Sequence, residues 1–266
     1  MSSQPAHLTK HIPLLSYPFL SSTFSLRQVD DGVSNGTALW LGGQCLAMYL
    51  AQEQSKFRSH SSSRRPRAIE LGSGIGLTTL ALSSLGWDVL ATDLRHVIDS
   101  VLRKNIENNI SALPLECGTM QIRELDWLVL PESWTWDNPL AVASQSPPEP
   151  TKGQDLLGPP FDLIVSADTV YSAELLGPML RTLHTLSTLS KFSASRLPPI
   201  LLCIERRDPQ LVDTLLQRAR DEWHFAVERV PHKKIARVVE KIAHWGKSEW
   251  ADVELWKLRL TEGKKS

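Results

Sequence analysis

The chain has 266 residues, 42% hydrophobic and 22% charged, and its 29 Lys+Arg balance 29 Asp+Glu. This suits one large α/β domain with decorations, and the zero net charge removes the uniformly basic surface of a non-specific nucleic-acid binder. Cys45, Cys117 and Cys203 form no CxxC pair and sit among apolar neighbours, and the eight His form no HxxxH pair. Disulfide, zinc and metal-catalysed chemistries are thereby set aside. No basic-then-apolar leader opens the sequence and no run approaches the ~18 apolar residues of a membrane span. A cytoplasmic protein, with the nucleus also open to it, is expected.

Residues 1–35 read as an N-terminal extension with a short strand about Thr23–Val29, ended by turn signals at Asp30-Asp31-Gly32 and Asn35-Gly36. Residues 36–266 read as the main domain. Ala38–Gln52 carries Leu39, Leu41, Leu46, Met48 and Leu50 at helical spacing and tolerates Gly42-Gly43. Arg58–Pro66 is Ser/Arg-rich and aperiodic. From Arg67 strands and helices alternate: strand Arg67–Leu71, helix Leu77–Leu85, strand Trp87–Thr92, helix His96–Ile110 and strand Met120–Leu125. Asn105, Asn108 and Asn109 read as capping, solvent-facing residues.

The stretch at about 131–160 is too long and too Pro-rich to pack, and reads as a mobile surface insertion. Phe161–Ala167 is a nearly continuous apolar strand of the parallel-sheet kind. Helix Glu174–Thr188, strand Ile200–Glu205 and helix Pro209–Trp223 follow. Strands Phe225–Val230 and Val253–Leu260 close the chain, with a mixed basic and apolar helix in Pro231–Lys247, where Lys233, Lys234 and Arg237 make a solvated face. The alternation predicts an α/β, doubly wound, mostly parallel sheet with an antiparallel C-terminal edge strand.

Glu70-Leu-Gly-Ser-Gly-Ile-Gly76 follows a strand and opens a helix, the setting of a nucleotide-binding turn. A dinucleotide fingerprint would need its third glycine at 77, which is Leu77. S-adenosylmethionine has no phosphate; it carries an ammonium, a sulfonium and an adenosine. Glu70 beside bare glycine backbone can order the turn and face that ammonium, and Asp93, ending the next strand, can accept both ribose hydroxyls. Asp126 and Trp127, after the third strand, would meet the adenine, one accepting from its amine and the other offering an apolar face. Asp168 ends the apolar strand at the sheet's ligand-bearing edge, where it can hold an incoming ammonium while Tyr171 shapes an apolar channel. The alternatives are a bare tight turn for the glycines, a surface acid and a core Trp for Asp126–Trp127, and an N-capping Asp with a packed Tyr for Asp168–Tyr171.

Gly36-Thr-Ala-Leu-Trp40, Glu70–Gly76, Leu125-Asp-Trp127 and Ser166-Ala-Asp-Thr-Val-Tyr171, read together, resemble the seven-strand methyltransferases. More narrowly they resemble the family 16, METTL21-like protein-lysine methyltransferases, whose Asp-x-x-Tyr signature matches Asp168–Tyr171. The likeness covers about residues 25 to 230. It implies a Rossmann-like seven-strand sheet and S-adenosylmethionine as cofactor. Trp40, Glu70, Gly72, Ser73, Gly74, Asp93, Asp126, Trp127 and Ala167 would hold that cofactor, with Asp168 and Tyr171 beside the transferring methyl. It implies a protein substrate, a translation factor or a chaperone; a monomer is expected, with no membrane and no stable nucleic-acid partner. The Pro-rich insertion and Gly42-Gly43 depart from the group and bear on substrate access. A small-molecule or nucleic-acid methyltransferase is the competing reading, although the Asn/Asp-Pro-Pro-Tyr/Phe signature of base-methylating enzymes is absent; a non-catalytic binding module is the third.

Overall fold

The computed structural model describes residues 3–29, 35–57, 64–146, 148–149, 153–191 and 197–261. Asp30-Asp31-Gly32, most of the Ser/Arg-rich loop, Pro147 and Pro150 lie outside them. β1 (Leu14–Phe19) and β2 (Ser22–Arg27) pair antiparallel as a separate hairpin. The main sheet contains β3 (Arg67–Leu71), β4 (Asp88–Asp93), β5 (Met120–Leu125), β6 (Ala141–Ala143), β7 (Leu163–Ala167), β8 (Ile200–Glu205), β9 (Phe225–Arg229) and β10 (Val253–Leu260).

Its order is β6-β5-β4-β3-β7-β8-β10-β9. β6 to β8 run parallel, and β10 is antiparallel to both β8 and β9. The antiparallel strand is thus the C-terminal one, one place in from the β9 edge. Strands such as Ala68-Ile-Glu-Leu71 and Val89-Leu-Ala-Thr92 are buried on both faces, as parallel strands between two helix layers must be.

α1 (Leu41–Glu53), α2 (Leu77–Ser84), α3 (Arg95–Val97), α4 (Arg103–Asn109) and α7 (His232–Ile242) lie on one side; α5 (Ala173–Leu189) and α6 (Pro209–Asp221) lie on the other. The single helix expected over His96–Ile110 is interrupted by a π-helical turn at Ile98–Leu102. Asn105 and Asn109 correct the solvent-facing reading. Both are buried, and their amides accept from Arg27 N and Ser25 N and donate back to the carbonyls of the same two residues at 2.7–2.9 Å. Each side chain thus takes the place of a strand partner for β2, leaving only Asn108 exposed.

The Pro-rich stretch is also less free than the sequence suggests. Its Ala141-Val-Ala143 is the buried β6 at the sheet edge, and Trp134, Trp136, Leu157 and Phe161 pack on the α5 side of the core. Proline cannot donate to a ladder and strongly disfavours a helix interior, so in this Pro-rich stretch bulky side chains cover the sheet where a crossover helix would otherwise lie. Cys45 and Cys203 are buried, whereas Cys117 is only half-buried; all three are free.

Candidate functional site

The chain leaves β3 towards β4, β5 and β6, then returns to start β7 on β3's other side. Such a reversal opens a crevice at the carboxyl ends of the strands. Here it holds a cavity of about 370 Å³. Trp40, Gly72, Gly74, Asp93, Asp126, Trp127, Ala167, Asp168 and Tyr171 line it; Glu70 and Ser73 do not.

The glycine turn is built by geometry that other residues resist. Gly72 has φ +69° and a Cβ there would lie 2.5 Å from Thr169 Cγ2; Gly74 has φ +53° and a Cβ would lie 3.2 Å from the Gly36 carbonyl oxygen. Ser73 fastens the turn to β4, its N–H donating to the Thr92 carbonyl at 2.9 Å and its Oγ accepting from Thr92 N at 3.1 Å. Glu70 points under the turn, where its carboxylate accepts from the Thr79 hydroxyl of α2. Burial pushes the Glu70 carboxyl up to about 7, against the opposing pull of the Thr79, Thr78 and Ser73 hydroxyls. It orders the turn from behind rather than facing the cavity.

Asp93 accepts from Gly74 N and Leu94 N, both at 2.8 Å. Burial raises it to about 6 despite those two donors. A carboxylate has about four acceptor positions, so two remain for hydroxyls of a ligand. Asp126 accepts from Leu128 N at 2.8 Å and Gln145 Nε2 at 2.6 Å. The Trp127 carbonyl is held by Arg181 of α5 at 2.7 Å.

Asp168 is tied to distant parts of the chain. Its backbone is left-handed, φ +53°, and its carboxylate accepts from Gly42 N at 2.6 Å and Glu205 N at 2.8 Å. The α1 N-cap is Trp40, whose side chain caps nothing, so Asp168 satisfies an open N–H of that first turn. A Cβ at Gly42 would lie 2.5 Å from Asp168 Oδ1, which explains one glycine of the Gly42-Gly43 pair. Burial raises Asp168 to about 6, with the two backbone donors pulling the other way. Trp40 donates its indole N–H to the Asn35 carbonyl at 2.5 Å and carries Lys10 Nζ 3.5 Å, and the Arg207 guanidinium 4.2 Å, from its ring centroid. Tyr171 stands at the mouth, 54% exposed, and its partial burial raises the phenol.

Residues 21–142 match the family model described as lysine methyltransferase. Protein N-lysine methyltransferase METTL21A of Mus musculus is 30% identical over 173 residues, 65% of either chain. EEF1A lysine methyltransferase 3 of Xenopus tropicalis is 24% identical over 172 residues, 64% of this chain and 61% of that one. Protein-lysine N-methyltransferase rrg1 of Schizosaccharomyces pombe is 27% identical over 105 residues, 39% of this chain and 29% of that one. The chain spans less than two thirds of the length of each of these relatives.

The cavity is also lined by Asn35, Gly36, His96, Gln145 and Thr169, none of them named as a site residue from sequence. Asn35 signalled only a turn, Gly36 opened one of the segments that resemble the methyltransferases without a role of its own, and Gln145 sits in the stretch read as an insertion. Thr169 carried a findable signal as the variable residue inside Asp-x-x-Tyr, one step beyond a left-handed Asp168.

Proposed function

We propose that this chain is an S-adenosylmethionine-dependent protein-lysine N-methyltransferase. The observation that carries the reading is one cavity lined by a glycine turn, Asp93, Asp126–Trp127 and Asp168–Tyr171 together. The fit favours a cationic nucleoside ligand: Asp93, Asp126 and Asp168 line the cavity, His96 is its one basic side chain among the described residues, and Lys and Arg are absent from the lining. A pyrophosphate would meet carboxylates there rather than cations. A side chain at Gly72 or Gly74 would fill the cradle.

When bound, the cofactor supplies an electrophilic methyl group on a sulfonium. Gly72 and Gly74 would accept its amino-acid end against bare backbone, Asp93 its ribose and Asp126–Trp127 its adenine, with Ala167 a small wall beside them. The acceptor amine must be neutral, and lysine ordinarily titrates near 10.4. Tyr171 and Leu175 offer an apolar wall at the mouth, and desolvation there lowers an amine's affinity for its proton. Asp168, its oxygens already on two backbone N–H groups, acts from the wall by charge and position, while Tyr171 directs the amine.

We place the protein in the cytoplasm, with the nucleus open, as a monomer acting on protein; no described helix is long and apolar enough to cross a membrane. A translation elongation factor or a chaperone is the first substrate class to try. Incubating the full chain with methyl-labelled cofactor and a cell extract is expected to label a discrete protein band, lost in Tyr171→Ala, with the label on lysine by mass spectrometry. Label entering only RNA or small molecules would overturn the lysine reading, and no cofactor binding by calorimetry would overturn the whole.

A further inference from the structure

The zero net charge of the chain conceals a segregation of charge. α7 buries Ile235, Val238 and Val239 and turns Lys233, Lys234, Arg237 and Lys241 to solvent. Lys233, Arg237 and Lys241 are spaced i, i+4, i+8 and so form a row along one line of the helix, with steps of about 6 Å. None of these four cations is ion-paired with a described carboxylate. Arg206 is paired with Asp213 and Glu254, Arg218 with Glu222 and Arg229 with Glu254.

The row is joined to the cavity by the N-terminal segment. Trp245, just past α7, donates its indole N–H to the Ser3 carbonyl at 2.6 Å. His7 meets Glu249 at 3.0 Å, and Lys10 reaches the Trp40 ring that lines the cavity. His232, at the other end of α7, stacks on Trp250 with centroids 4.5 Å apart. A partner lying along α7 therefore lies next to the segment that reaches Trp40.

We propose that the exposed face of α7 docks an acidic segment of the protein that is methylated. An acidic helix offers carboxylates at i and i+4, with the same spacing of about 6 Å as the row. Glu240 is also exposed on α7. The chain as a whole carries no net charge, so a long nucleic-acid backbone gains little beyond the row, whereas a short acidic protein segment can be confined to it. The link to methylation rests on the lysine methyltransferase reading; the binding face itself does not.

The test uses the full chain without cofactor, a fluorescein-labelled poly-L-glutamate peptide and poly(U) as the rival probe, at about 0.15 M salt, where only charges within about 8 Å act strongly. The wild type is expected to bind poly-L-glutamate more tightly than poly(U). The combined Lys233→Glu, Arg237→Glu and Lys241→Glu variant is expected to lose at least about ten-fold in affinity for the peptide. The corresponding Gln variant is expected to fall between them and stands in should the Glu variant fail to fold. No peptide binding by the wild type, or equal binding by the variants, would overturn the proposal. So would tighter binding of poly(U) that is lost in the variants, which would make α7 a nucleic-acid face. Because no methyl is transferred in the assay, its failure leaves the enzymatic reading standing, and failure of methylation leaves this face standing.

Discussion

Asp93 and Asp168 both stand at the carboxyl ends of parallel strands, both accept from two backbone N–H groups, and burial pushes both up to about 6. Their walls are nevertheless built differently. Asp93 draws its donors from its own successor and from the turn one strand back, within a single strand–turn–helix–strand unit. Asp168 draws its donors from α1 and from the end of β8, segments that meet only when the whole sheet is assembled. One wall is local and the other is tertiary, so the two should fail differently when struck.

The largest expected effect breaks the tertiary wall. Gly42→Val would press a branched side chain onto the Asp168 carboxylate, and we expect a loss of about 3 kcal/mol or more in stability. Methyl transfer should fall with it, as thermal unfolding and labelled-methyl assays would show. Retention of both would mean that the Gly42–Asp168 contact does not organise the site.

Glu70 probes the local wall through pH. Its buried carboxyl sits at about 7, above its unfolded value of 4.5, so the native state binds the proton more tightly. That contribution to stability is fully present below about 4.5 and is lost as pH rises through about 7, a swing on the order of 3 kcal/mol. Glu70→Gln should flatten the fall in unfolding free energy between these pH values, measured by urea titration; an unchanged slope would contradict the assignment.

Gly72→Ala should cost about 2 kcal/mol through its positive φ and the Thr169 methyl. It should weaken cofactor binding in calorimetry more than it slows transfer at saturating cofactor. Adding Thr169→Ser, which removes the offending methyl, should return part of the loss, and no recovery would put the cost on the backbone alone. The smallest structural effect belongs to Tyr171→Phe. Stability should stay within about 0.5 kcal/mol because the side chain is half exposed, and cofactor affinity should hold while kcat falls. An unaltered kcat would remove the hydroxyl from the chemistry.

The same division explains what could be read from the residues. β3, β5, β8 and β10 match their expected bounds because each is a short apolar or alternating run between clear breakers. β6 was missed because Ala141-Val-Ala143 is too short to show a period and owes its burial to aromatic residues several positions away. β1 was missed because it contains Pro18 and sits among polar residues. The glycine turn and Asp93 announced themselves by spacing, being neighbours in one unit. That Glu70 points at Thr79 and away from the cavity could not be read, since a strand buried on both faces carries no pattern saying which way a residue points. Nor could the donors of Asp168 be read, since no local rule connects it to Gly42.

That last contact has a consequence for how such chains can change. Asp168 serves as the missing cap of α1 through Gly42, 126 positions earlier, and it occupies the space any side chain at 42 would need. Neither residue can be replaced alone without leaving an unmet N–H or a collision. A lineage that enlarges position 42 must give up Asp168 in the same step, and one that gives up Asp168 gains freedom at 42. Among descendants of this chain a side chain at 42 should be found only where Asp168 is gone, so it marks a sequence whose site has already been rebuilt.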